Sequence, residues 1–396
     1  MSIHVSTGIP SFSSRSERFQ ALPLVDLGKA LASQLIVWHH LALYGPMCEV
    51  AEPLAPALRD WLVEQGRLAV QVFLVMAGFL AARSMLPHPA AAPRATGVAA
   101  AIGRRFLRLA EPAWVALLAA MFAAWVARGL IEHPTIPEAP TLLQVLAHLL
   151  MVQDVAGLEA LSAGVWYVAI DLQLFALVAL LCGLRRGIAR PARSALTTLT
   201  TLTVMLLLAG ITLSLLRFNR DPDLDVWAIY FVGAYGLGML AHWAVSARRP
   251  VSRIGWLLAI LALTGLALWL DWRVRILLAG TSALVLALLV PLDLRLPAWL
   301  ARPVAVLSHI SYTVFLLHYP VLLLTGALIG RLWPDAPEVH ALGLVLAWAL
   351  SLLAGWALQS ALDRRERARQ SVRRPQPLAR PAAGAVGDDQ RTAVPG

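Results

Sequence analysis

The sequence predicts an all-α fold, a polytopic membrane bundle of about ten transmembrane helices, and three observations predict it. Hydrophobic residues make up 59% of the 396-residue chain and charged residues only 14%, with a mean hydropathy of +0.69. Soluble globular chains carry about 25% charged residues, so lipid must be the solvent for most of this one. Second, stretches of about 20 apolar residues recur along the chain, the length that crosses a hydrocarbon core of roughly 30 Å. Third, the arginines between those stretches cluster at every second connection, as the positive-inside rule requires of a multi-pass chain.

The first stretch, 22–44, follows a polar N-terminal segment with Arg15 and Arg18. It holds Asp26, Lys29, His39 and His40 and no small-residue cleavage pattern, so it reads as a retained span and not a removed signal peptide. Further spans are expected at 68–86, 109–128, 164–184, 196–217, 226–246, 254–270, 273–290, 304–329 and 340–362. Asp271, Trp272 and Arg273 alone divide the seventh from the eighth, so counts of nine or eleven spans stay open.

With the N-terminus inside, the cytoplasmic connections collect Arg83, Arg94, Arg104, Arg105 and Arg108, then Arg185, Arg186, Arg190 and Arg193, then Arg248, Arg249 and Arg253, then Arg295 and Arg302. Outside connections carry few basic residues, among them Arg59, Arg67, Arg217, Arg220, Arg275 and Arg331. This orientation predicts an integral multi-pass membrane protein with both termini cytoplasmic. The organisation expected is a cytoplasmic tail over 1–21, a membrane domain over 22–362 and a basic, disordered cytoplasmic tail over 363–396, whose last part is rich in Pro, Ala, Arg and Gly. Two outside loops, 45–67 and 129–163, are the longest. Pro134, Pro137 and Pro140 interrupt any helix in the second.

Composition also narrows the chemistry. Thirty-three basic residues against 23 acidic ones give +10, but the surplus sits in topology-setting loops, and no nucleic-acid motif accompanies it. Cys48 and Cys182 form neither a disulfide framework nor a metal site. No His-Glu-x-x-His, Gly-x-Ser-x-Gly or phosphate-cradling glycine loop occurs, and His148 and Asp154 are wrongly spaced for a His-x-x-x-x-Asp acyltransferase pair. The 14 tryptophans, Trp38, Trp61 and Trp333 among them, read as interfacial anchors.

Ionisable groups inside a span are costly unless paired or wetted, which makes each a functional candidate. The first span is the densest. At 100° per residue Lys29 and His40 lie about 20° from eclipse and roughly 16 Å apart along the axis. Asp26 reaches Lys29 at i, i+3, and His39 points about 80° away. One polar column is therefore expected, basic toward the cytoplasm and imidazole toward the outside. Lys29 snorkelling beside Asp26 is the plain structural alternative.

The stretch LVDLGKALASQLIVWHH at 24–40 resembles the first span of the acyltransferase-3 family, whose signature is a basic residue, ten residues and a histidine. AVQVFLVMAGFLAARSM at 69–85, RRFLR at 104–108, VWYVAIDLQLFAL at 165–177 and SYTVFLLHYPVLL at 311–323 resemble further family segments in the same order. They place Gln71, Arg105, Arg108, Trp166, Asp171, Gln173, Tyr312 and His318 on motif positions. Departures are Lys29 where arginine is usual, Gln71 for aspartate, Ala77 for serine, Asp171 for glutamate and Leu172 for a second acid.

The resemblance implies a membrane O-acyltransferase that moves an acyl group, commonly acetyl, from cytoplasmic acyl-CoA to a hydroxyl of an envelope glycan, exopolysaccharide or lipid-linked saccharide. Acyl-CoA is then a co-substrate, no cofactor or metal is expected, and the partners are donor, glycan acceptor and membrane lipid, with no nucleic acid. Arg105, Arg108 and Lys29 are the candidate donor-binding groups, since forked guanidinium groups grip phosphate. His40 is the candidate general base, its imidazole titrating near neutrality, and Asp171 the candidate group to orient it; an acyl-histidine intermediate is an alternative. Asp26, Gln71, Trp166, Gln173, Tyr312 and His318 are candidate supporting residues, although His318 has a second reading in which it satisfies a carbonyl freed by Pro320. The competing functions are a transporter or flippase of a lipid-linked sugar and a noncatalytic membrane subunit. The transporter predicts paired, broken helices in two halves, and the sequence shows no such pairing.

Overall fold

The computed structural model describes residues 22–85, 97–183 and 193–373. The predicted N-terminal tail, the segments with Arg94 and with Arg185, Arg186 and Arg190, and the tail after Arg373 lie outside the described residues. Among the described residues every regular element is helical. In order they are α1 (Pro23–Leu43), α2 (Pro46–Ala51), α3 (Pro56–Gln65), α4 (Ala69–Met85), α5 (Val98–Leu130), α6 (Leu142–Leu150), α7 (Val165–Gly183), α8 (Arg193–Leu216), α9 (Ala228–Ser246), α10 (Pro250–Leu270), α11 (Val274–Leu289), α12 (Ala298–Leu332) and α13 (Pro337–Arg373).

The protein is an integral, multi-pass helical bundle. Nine helical stretches among the described residues are long and apolar enough to cross a membrane, and they match the second to tenth expected spans. The first expected span forms as α1 at the predicted place, but it is not one of the nine. Asp26, Lys29, His39 and His40 lower its hydropathy, and it does not need lipid on every side. Val25, Ala30, Ala32, Ile36, Val37 and Leu41 are buried within protein, against α4 and α12.

Several boundaries differ from expectation. α5 begins eleven residues before 109, so Arg104, Arg105 and Arg108 belong to a helix and not to a loop. Its apolar periodicity does not extend that far, which hid the start. α13 runs to Arg373, so residues 363–373, expected to be disordered, continue the helix. The chain divides after Gln359 into a large unit and a small one from Ser360. In the small unit Arg364, Arg365, Glu366, Arg367 and Arg369 are all exposed; a helix needs no buried face where charged residues keep helical propensity.

The long loops are not bare. The first contains α2 and α3. In the second, the proline-rich part is irregular, but α6 follows it, started by a capping box in which Thr141 Oγ accepts the Gln144 N–H at 3.2 Å and Gln144 Oε1 accepts the Thr141 N–H at 2.9 Å.

Packing at the centre relies on small residues that let helix backbones meet. A Cβ on Gly78 of α4 would lie 1.8 Å from the Tyr235 carbonyl oxygen of α9, and one on Gly238 of α9 would lie 1.9 Å from the Val75 carbonyl oxygen of α4. Neither position admits a side chain without separating the two helices. That contact holds α4 in register beside α1, and so fixes one wall of the site described next.

Candidate active site

Four helices supply the polar interior. α1 carries Asp26, Lys29 and His40, α5 carries Arg105 and Arg108, α7 carries Tyr167 and Asp171, and α12 carries Ser308, Tyr312, Phe315 and His318. The α12 residues fall at spacings of three and four, the repeat that aligns side chains on one helical face.

Lys29, Arg105, Arg108, Asp171, Tyr167 and Tyr312 line a cavity of about 310 Å³, with Ile36, Val70, Phe73, Met76 and Phe315 among its apolar walls. Asp171 is buried and forms an ion pair and hydrogen bond with Arg105, through one carboxylate oxygen and the guanidinium Nη2. Its other oxygen, Oδ1, is buried without a hydrogen-bond partner among the described residues, as is Arg105 Nε. The Arg105 guanidinium also lies over the Phe175 ring, 5.4 Å from its centroid. Asp171, expected to orient His40, has Arg105 as its partner in the structure. The extension of α5 explains this, because it carries Arg105 into the bundle opposite α7, where a buried carboxylate requires a cation.

Lys29 makes no ion pair among the described residues. Asp26 instead accepts the Ser308 hydroxyl proton at 2.7 Å, so the expected i, i+3 pairing along α1 does not close. Arg108 is exposed at the cavity rim. Among the described residues Lys29 and Arg108 thus form no ion pair with a carboxylate, beside an Arg105 whose charge Asp171 balances.

His40 is buried but is not part of the cavity wall. Its Nδ1 lies 2.7 Å from His318 Nε2, and the two rings are within 10° of parallel with centroids 4.8 Å apart. His318 Nδ1 lies 2.5 Å from the Phe315 carbonyl oxygen. The carbonyl freed by Pro320 is that of Leu316, four residues back; the ring takes a neighbouring one. Phe315 stands between the cavity and the histidine pair. Its ring lines the cavity and approaches both Tyr167 and His318, with centroids 5.9 Å away in each case. The expected polar column therefore exists along α1, but a phenylalanine divides it. His39 turns aside, as its angle predicted, and its Nδ1 donates to the Leu62 carbonyl at 2.9 Å.

The remaining supporting candidates separate by contact. Tyr312 donates its hydroxyl proton to the Leu109 carbonyl at 2.8 Å and lines the cavity. Trp166 packs its ring against Phe231, 5.7 Å between centroids, and Gln173 Oε1 accepts the first N–H of α9, from Ala228, at 3.2 Å; both tie α7 to α9. Gln71 is buried in α4 and is not a lining residue.

Sequence reasoning missed Tyr167, Phe315 and Gly164. Tyr167 stands four residues before Asp171 and Phe315 three after Tyr312, so helical spacing could have found both. Gly164, just before α7, has φ +80°, and a Cβ there would come 2.6 Å from Phe315 Cζ and 3.5 Å from His40 Cε1. It lets α7 begin against both rings, and no local pattern marks it. Among the described residues no group of three or more His, Cys, Asp or Glu side chains could hold a metal ion.

A family model for acyltransferase-3 proteins, described as an acyltransferase domain, matches residues 23–359. No curated protein and no solved structure matches the chain.

Proposed function

The chain belongs to the acyltransferase-3 family, and from that premise we propose that it moves an acyl group, acetyl in the simplest case, from cytoplasmic acyl-CoA to a hydroxyl of an envelope glycan, exopolysaccharide or lipid-linked saccharide. The observation that carries this reading is the cavity in which, among the described residues, Lys29 and Arg108 form no ion pair with a carboxylate, while many of the other lining side chains are apolar. A coenzyme A thioester matches that division: multiply charged phosphates at one end, a neutral pantetheine arm and acyl group at the other.

In this reading Arg108 at the rim and Lys29 within meet the phosphates, and the arm runs along Ile36, Val70 and Met76 toward Phe315. Rotation of the Phe315 ring brings the thioester carbonyl to His40. The acceptor hydroxyl gives its proton to the imidazole as its oxygen attacks the carbonyl carbon. The C–S bond then breaks, the thiolate of coenzyme A takes the proton back from the imidazolium, and the ester leaves with the glycan. Positioning and general-base catalysis are what the chain's own residues supply. The basic loops support placing the donor side in the cytoplasm.

The test is mass spectrometry of envelope glycans from cells with the intact gene, without it, and with His40→Ala. Loss of ester in both altered strains, with normal polymer export, supports the proposal. Loss of export would favour the sugar transporter, and full ester with His40→Ala the noncatalytic subunit.

A further inference from the structure

We propose that His318 is the positioning residue for His40: it fixes the imidazole in the tautomer whose Nε2 is free to take the acceptor's proton. The inference rests on the reading of His40 as the base.

The argument is one of hydrogen accounting. A carbonyl oxygen can only accept, so the 2.5 Å contact between His318 Nδ1 and the Phe315 carbonyl places a hydrogen on that nitrogen. His318 is wholly buried, and a second proton would make it a cation far from any free carboxylate. Asp171 is engaged by Arg105 and Asp26 by Ser308. Such an isolated charge is costly in a dry interior, so His318 is neutral and its Nε2 bears a lone pair. The 2.7 Å contact to His40 Nδ1 then requires the hydrogen to sit on His40. That leaves His40 Nε2 as the basic nitrogen. When Nε2 gains a proton in the reaction, the Nδ1–H bond to His318 becomes charge-assisted and stronger, as the carboxylate does for histidine in serine-hydrolase triads. Here the orienting group is neutral, which suits a pair with no cation beside it.

The surroundings hold this arrangement. Phe315 and His318 lie three apart on α12, so the carbonyl anchor is local to one helix. Gly164 leaves room at the Cε1 edge of the His40 ring, which a Cβ there would approach to 3.5 Å. The other titratable groups near the pair are His39, which is turned to the Leu62 carbonyl, and Tyr44, whose ring centroid lies 5.7 Å from that of His40.

The test uses membrane vesicles from the producing cell, which carry the native acceptor, supplied with ¹⁴C-acetyl-CoA. His318→Phe removes the acceptor nitrogen; His318→Gln keeps an accepting oxygen. We expect His318→Phe to slow label transfer by about 10- to 100-fold, a part of what general-base catalysis contributes, with the acetyl-CoA KM unchanged and the acid limb of the pH profile moved to lower pH. His318→Gln restores most of the rate. If His40→Ala is inactive but His318→Phe transfers at the wild-type rate with an unmoved limb, the inference is wrong and the base assignment stands. If His40→Ala is itself active, the base assignment fails first. A direct check needs no variant at His318: ¹⁵N-histidine solid-state NMR of the full chain in lipid should show hydrogen on Nδ1 of both rings, and hydrogen on Nε2 of either overturns the proposal.

Discussion

Toward its Pro23 end α1 sets Lys29 on the wall of a cavity shared with Arg105, Arg108 and Asp171, whereas toward its Leu43 end it buries His40 against His318, with no carboxylate in the contact. The same helix thus serves two surroundings. Charges gather around the cavity, whose rim holds the exposed Arg108, and the two rings sit in the buried interior, where each hydrogen bond counts for more. Phe315 touches both regions. The difference teaches that the polar column of α1 has two parts, a cavity-lining cation and a buried histidine pair, which the proposed function reads as donor recognition and proton transfer.

The largest effect that sharpens this comparison is at His40. His40→Ala should lower acyl transfer by about 10²- to 10⁴-fold, the contribution of a general base, with the acetyl-CoA KM changed little. Vesicle assays with labelled acetyl-CoA measure both. A raised KM at an unchanged rate would merge the two parts, by making His40 a binding residue.

Next in size is the Asp171–Arg105 pair. Removing one partner of a buried ion pair costs about 3–5 kcal/mol, because the other charge is left stranded. The Arg105 side chain is 28% exposed, so about 3 kcal/mol is expected for Asp171→Ala, read as a lower Tm in detergent. The double variant with Arg105→Ala should recover part of that loss, since neighbours that share an interaction are not additive. Were Asp171 a partner of His40 instead, Asp171→Asn would cut the rate as His40→Ala does, with no recovery in the double variant.

Lys29 and Arg108 differ by exposure. Hydrogen bonds to charged groups contribute about 1.5–3 kcal/mol, so Lys29→Ala should raise the acetyl-CoA KM by about tenfold or more. Arg108 is exposed, and an exposed ion contact is worth about 1 kcal/mol at most, so Arg108→Ala should raise KM only a few-fold and lose that effect in high salt. Equal effects would place both cations at the same depth.

The fold was largely legible because helix length in lipid is set by membrane thickness, a constraint written directly into apolar runs. α1 was legible for a different reason: its polar residues fall on a helical face. The start of α5 was not, since Arg104, Arg105 and Arg108 look like loop charges until Asp171 offers a buried partner. The facing of His40 to His318, 278 residues apart, is likewise a tertiary fact. Periodicity puts each residue on the inner face of its helix, but which inner faces meet depends on crossings such as Gly78 over Tyr235. Family resemblance had marked both histidines, yet resemblance carries positions and not contacts.

The smallest effect expected lies away from both regions, at α6, and it tests whether burial and an N–H donor together keep an imidazole neutral. His148 Nδ1 donates to the Gln144 carbonyl at 2.7 Å and its Nε2 accepts the Leu161 N–H at 3.0 Å. The Leu161 bond needs the lone pair of the neutral ring, and burial holds the pKa below the ordinary 6.5, opposed by the hydrogen bond to Gln144 and by nearby Asp154. A histidine with a depressed folded pKa contributes stability that is complete above pH 6.5 and falls as pH drops below it, levelling off under the folded pKa. Asp154, raised by burial, acts the opposite way, losing stability as pH rises past the ordinary carboxylate range, so the two together give a shallow slope of less than about 1 kcal/mol. Hydrogen exchange at the Leu161 amide, corrected for intrinsic rate, should therefore be faster at pH 5 than at pH 7.5, and His148→Phe should make it fast at both. A Leu161 amide equally protected at pH 5 would show that the loop tolerates the imidazolium, and that geometry of this kind does not by itself keep a buried ring neutral.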